Sequence, residues 1–140
     1  MKIPRHSIAV ACLALCLLLF SSLSVYASDQ AKVVLHLSDP HKLHVLVNNV
    51  NNIRQAYGDQ VDIVVVVNGP AVTRFGKVSN TDKQVKEILD KDAEVSVCSI
   101  AMKNRDFPPE QLIDGVIYLK QGGVARLIEL QQQGYSYIKI

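Results

Sequence analysis

The sequence is short of cysteine. Three occur in 140 residues, Cys12, Cys16 and Cys98; the first two fall inside an N-terminal apolar run, so the body of the chain carries a single thiol. That excludes the disulfide framework of small secreted domains, which needs an even set of cysteines. Charge of one sign is lacking too. The formal net charge is +2, and Lys2 and Arg5 account for it: without them thirteen basic residues face 13 acidic ones. The body of the chain therefore has no electrostatic footprint for nucleic acid or for an anionic membrane. Neither the G-x-G-x-x-G spacing of a dinucleotide fold nor the Gly-Lys-Ser/Thr of a phosphate loop is present. There is no Ser-His-Asp arrangement and no carboxylate pair at a spacing that demands acid-base chemistry. Internal repeats, low-complexity tracts and long linkers are absent as well, which leaves one domain.

What is there begins with a leader. Lys2 and Arg5 precede an apolar run over residues 8–20, then a short polar stretch, then Val25-Tyr26-Ala27. Small residues three before and one before a cut form a signal-peptidase pattern, so residues 1–27 read as a signal peptide cleaved after Ala27. The apolar run is shorter than the roughly 20 residues of a membrane span, although extension to Val25 leaves an uncleaved anchor as the alternative. Cleavage removes Cys12 and Cys16 and sends residues 28–140 to the periplasm or outside the cell, free of the membrane. Cys98 is then a lone thiol in an oxidising compartment: buried and inert, paired with another molecule, or chemically employed.

Along residues 28–140 apolar patterning alternates between strand and helix. Residues 32–37 read as a strand, and Asp39-Pro40 as a helix N-cap followed by proline at the first helical position. The helix runs to Tyr57, where Gly58 stops it. Residues 61–67 are an almost unbroken β-branched apolar run, which suits a strand covered on both faces. A helix is expected from residue 81 or 82 to 91, strands at 94–98 and 116–119, a helix at 124–133 and a last strand at 135–140. This alternation predicts an α/β protein: a three-layer α/β/α sandwich on a mainly parallel five-stranded sheet with right-handed crossovers.

Ligands of such sheets bind beyond the carboxyl ends of the strands. His36, Asn68 with Gly69 and Pro70, Cys98 through Met102, and Gln121 through Gly123 all fall there. Cys98 is the candidate nucleophile. A short helix over residues 99–104 would turn its positive end toward the sulfur, Lys103 and Arg105 lie nearby, and both effects favour the thiolate. The backbone of Ser99, Ile100 and Ala101, with Met102 behind, would line the pocket. The alternative is that Cys98 is a small hydrophobe in the core. His36 is the second candidate, as a proton carrier at the same rim or as a histidine hydrogen-bonded within the sheet. Asn68-Gly69 and Gly122-Gly123 could offer backbone N–H groups to an anion, or serve as plain turns. His36, His41 and His44 suggest a metal set. However, His41 and His44 sit in the first helical turn, and only Asp39, already used in capping, could complete it; no metal is expected. Arg54, Arg74 and Arg126 read as solvated or interface residues.

Several stretches carry a family likeness: Lys32-Val33-Val34-Leu35-His36-Leu37-Ser38-Asp39, Val47-Asn48-Asn49-Val50-Asn51-Asn52, and Val64-Val65-Val66-Val67-Asn68-Gly69-Pro70-Ala71-Val72. In the second half come Val97-Cys98, Met102, Arg105, Pro109-Glu110-Gln111-Leu112, Gly115-Val116, Gly123-Val124-Ala125-Arg126-Leu127 and Gln133-Gly134-Tyr135-Ser136-Tyr137-Ile138-Lys139. Together they resemble the small single-domain branch of the DsrE/DsrF-like family. The resemblance implies a flavodoxin-like fold, homo-oligomers (trimers or hexamers), and a cysteine that carries a persulfide between a sulfur donor and an acceptor, each a protein or a small persulfide. Cys98 is the residue that could take this role, without metal or organic cofactor. Where many relatives have Arg-Gly, this chain has Arg105-Asp106-Phe107, and Asp106 adds a negative charge that would oppose the thiolate.

Overall fold

The computed structural model describes residues 30–140. The expected signal segment, its cut after Ala27, and Cys12 and Cys16 lie outside the described residues. Five strands form one sheet: β1 (Ala31–Leu37), β2 (Val61–Val67), β3 (Ala93–Cys98), β4 (Ile117–Leu119) and β5 (Ser136–Lys139). Their order is β4-β3-β2-β1-β5, and every pairing is parallel. Four α-helices join them: α1 (Leu43–Tyr57), α2 (Asp82–Leu89), α3 (Ser99–Lys103) and α4 (Gly123–Gln132). Among the described residues, no helix is long and apolar enough to cross a membrane.

The continuous apolar run of β2 has a direct cause, for strand side chains alternate between faces and both faces of this strand are covered. Ile63, Val65 and Val67 join Leu35, Leu37, Leu46, Val50, Val85 and Ile88 under α1 and α2. Val64 and Val66 join Val34, Leu127 and Leu130 under α4. Each fully buried side chain of this size contributes about 2 kcal/mol of transfer free energy. The handedness of crossovers decides which helix covers which face. From β1 to β4 the chain steps across the sheet in one direction; between β4 and β5 it returns the other way. Right-handed connections therefore put α4 on the face opposite α1 and α2.

Local signals set the helix ends. The Asp39 carboxylate accepts the His41 N–H at 2.9 Å, but the first turn, Pro40–Lys42, is a 3-10 turn and α1 starts only at Leu43. The Lys42 N–H donates to the Asp39 carbonyl at 3.2 Å, a three-residue spacing that tightens the turn. Gly58, at φ +55°, ends α1 by donating its N–H to the Arg54 carbonyl at 2.8 Å. Two 3-10 segments, Gly69–Phe75 and Pro109–Gln111, were not foreseen. The first lies against the core and buries Ala71, Val72 and Phe75 beyond the end of β2.

Candidate functional site

Cys98 is the last residue of β3 and the N-cap of α3, extended at φ −66°, ψ 118°. Alternation along β3 gives it the same face as Ser96, whose buried hydroxyl donates to the Val65 carbonyl at 3.0 Å. That is the α4 face, so the sulfur meets the start of α4 and makes no side-chain cap bond to α3. The helix beside the thiol is thus the later one, because the returning crossover places it there.

Two glycines permit this approach. Gly122 has φ +89°, and a methyl there would lie 3.1 Å from Cδ1 of Ile100 and 3.9 Å from Sγ of Cys98. A methyl on Gly123 would lie 3.2 Å from Cβ of Cys98, 3.4 Å from Cβ of Asn68 and 3.5 Å from Cγ1 of Val66. Asn68 follows β2, fixed by its N–H to the Leu37 carbonyl at 3.0 Å. These segments enclose a recess of about 370 Å³ whose wall includes Asn68, Cys98, Ile100, Arg105, Gln121 and Gly122. Cys98 is 7% exposed. It belongs to the core by area, yet it borders an open recess.

Three of the four strand-end groups anticipated from sequence therefore converge, with Asn68, Gly69, Cys98, Ile100, Ala101, Gly122 and Gly123 all on the recess wall. Ser99 and Met102 do not reach it. Ser99 is buried with its hydroxyl donating to the Lys120 carbonyl at 3.2 Å, and Met102 is fully buried in the core under α1 and α2. Arg105 lines the recess, its guanidinium also donating to the Ala101 carbonyl at 2.9 Å. Asp106, at φ +50°, turns instead into a separate hollow with Lys103, Phe107 and Tyr118. It is not among the residues that line the recess.

His36 does not line the recess. It lies on β1 between β2 and β5, 9% exposed, with Nδ1 2.7 Å from the Tyr137 hydroxyl and Nε2 buried without a hydrogen-bond partner. Burial pushes its pKa below the usual histidine value. The neighbouring Asn68 side chain opposes that shift without reaching hydrogen-bond geometry, and the Lys139 ammonium adds to it.

A larger groove, about 530 Å³, opens at the opposite ends of β1 and β5 beside Ile53 and Tyr57. Lys32, Tyr57 and Ser136 line it but no thiol or histidine does, which leaves the smaller recess, with Cys98 on its wall, as the candidate site. Among the described residues no three His, Cys, Asp or Glu side chains are placed to hold a metal ion. His41, far from converging with His36, is exposed beyond Asp39.

Sequence reasoning passed over two arrangements. Arg54 reads as a solvated residue, but its guanidinium donates to the carbonyls of Lys91 at 2.7 Å, Gly58 at 2.8 Å and Val61 at 3.2 Å. Tyr137, singled out for no role from the sequence, holds the His36 ring through its hydroxyl. The only signal for either was a polar group next to an apolar stripe.

The DsrE/DsrF-like family model matches residues 30–140. No match is found among curated proteins. Solved structures that share the fold include three from different organisms. A protein of unknown function from Methanobacterium thermoautotrophicum is 24% identical, covering 79% of this chain and 99% of its own, with a TM-score of 0.73. A conserved protein of unknown function from Bacteroides thetaiotaomicron is 16% identical over 84% of this chain and 99% of its own, TM-score 0.65. The ychN protein from E. coli is 16% identical over 79% and 99%, TM-score 0.58.

Proposed function

Because the chain belongs to the DsrE/DsrF-like family, we propose that it handles sulfur outside the cytoplasm, with Cys98 as the persulfide carrier. The observation that supports this most is the position of the thiol on the wall of an open recess, at the carboxyl end of β3 and against the start of α4. In the forward step the Cys98 thiolate attacks the outer sulfur of a donor R–S–SH. The donor's S–S bond breaks, a new one forms to Sγ, and the electron pair leaves on R–S⁻, giving Cys98–S–SH with no net oxidation. An acceptor thiolate reverses the step and restores the Cys98 thiolate. The partial positive charge at the start of α4 steadies negative sulfur during both transfers.

A second reading has its own support. Ile100 and Val124 on the recess wall, and Ile128 one turn further along α4, are all more than half exposed, an apolar surface suited to a partner protein or another copy of this chain. In that reading Cys98 is structural and the protein is an assembly module.

Alkylation of the native protein across pH, followed by intact mass after polysulfide treatment, separates these readings. A thiol that labels in the folded state and gains about 32 mass units, one sulfur atom, supports the carrier. Labelling only after denaturation sinks it and favours the assembly module. A dimer that vanishes with reductant would mean that the thiol instead forms a mixed disulfide.

A further inference from the structure

Resting on the carrier reading, we infer that the recess at Cys98 selects small anionic sulfur chains such as inorganic polysulfide, with Arg105 and Asn68 as the specificity-determining residues. Its volume suits a small molecule. No carboxylate lines it, Arg105 is the cation on its wall, and Asn68, Asn104 and Gln121 supply carboxamides. Asp106, which follows Arg105, lines the neighbouring hollow and not the recess.

The second observation lies behind the wall. His36 is more than nine-tenths buried, and Nε2 has no partner. Nδ1 is engaged by Tyr137 on β5, which leaves Nε2 as the ring nitrogen free for the neighbouring Asn68 side chain. When the Tyr137 hydroxyl donates to Nδ1, the ring proton sits on Nε2. A ligand that draws Asn68 into alignment lets Nε2–H donate to its carbonyl oxygen, which satisfies the buried nitrogen and leaves the Asn68 amino group facing the recess. That gives an anion a donor on one wall and the Arg105 guanidinium on another.

The balanced step follows. The Cys98 thiolate takes the terminal sulfur of a hydropolysulfide anion as Cys98–S–SH, the S–S bond next to that sulfur breaks, and the shortened polysulfide leaves as a dianion that water protonates. Two negative charges meet in this step, which is why a cationic wall is needed.

Iodoacetate and iodoacetamide are alkylating agents of similar size, one anionic and one neutral, and their rates on the native full-length body of the chain read the selectivity directly. The expected result is an iodoacetate-to-iodoacetamide ratio about tenfold above that of the denatured protein, falling with salt. Arg105→Gln should return the ratio to the denatured value, Arg105→Lys should keep most of it, and Asn68→Asp should lower it below that of the unsubstituted protein. A native ratio equal to the denatured one, or one indifferent to Arg105→Gln and Asn68→Asp, overturns the inference while leaving the carrier reading intact. The same holds if only a protein-bound persulfide loads the thiol. If neither reagent labels the folded protein, the carrier reading fails and the inference with it.

Discussion

A methyl group on Gly123 would stand 3.2 Å from Cβ of Cys98 and 3.4 Å from Cβ of Asn68, two atoms that the sheet holds in place. Gly123→Ala gains helix preference of about 1 kcal/mol, but the overpacking costs about 1–3 kcal/mol. The expected outcome is a net loss of about 1 kcal/mol in urea unfolding, with slower alkylation of Cys98 in the folded protein as the recess is squeezed. The residue scale is also where the sequence was most partial. Cys98 was legible because a lone thiol at the end of an apolar strand has few explanations. The Tyr137–His36 bond was not, because it joins positions 101 residues apart and depends on β5 returning to the side of β1. Nothing in the local pattern of either strand announces that.

Among the elements, Arg54 ties three together. It rises from the last turn of α1 and gathers carbonyls from the α1 terminus, the first residue of β2 and the turn that leads into β3. A planar fork serves these acceptors, and an ammonium cannot reach them all. Arg54→Lys should cost about 1–2 kcal/mol in urea unfolding, with the thiol's reactivity unchanged, since the bonded carbonyls lie at the end of the sheet away from Cys98. Strand and helix positions were readable from periodicity to within a residue or two, except the start of α1, which falls three residues after Pro40. The 3-10 segments were not, because Gly69–Phe75 presents buried residues at spacings too short to reveal a helical face. Covering by α4 followed from topology rather than from its own sequence: its apolar stripe says that it packs, and the direction of the crossover says where.

For the molecule as a whole, pH acts through groups whose neutral forms are built into the fold. His36 has its folded pKa below the unfolded value of 6.5, so the unfolded chain takes up a proton more readily. Stability is full above pH 6.5 and declines as pH falls through the window between the two values. Urea midpoints should drop on acidification below 6.5, and His36→Gln should remove that component of the slope. Tyr135 gives the opposite limb. Burial first, and then the hydrogen bond its hydroxyl donates to the Asp62 carboxylate, raise its pKa from 10.0 to about 12. Its contribution is present below pH 10 and is lost as pH rises toward about 12. Tyr135→Phe should flatten the alkaline decline in a thermal melt series. The three-layer architecture itself was legible from alternation alone; the all-parallel pairing and the β4-β3-β2-β1-β5 order needed coordinates.

The helix start that shelters the sulfur lies downstream of it in the chain, so wherever the chain emerges N-terminus first and folds, the thiol appears before its roof exists. Until Gly122 and Gly123 follow and settle, Cys98 is an uncovered thiol on an unfinished sheet, open to oxidation and to stray partners. Chaperoning of the nascent chain, or speed in its last stretch, therefore bears on how much of the protein is born with an intact sulfur.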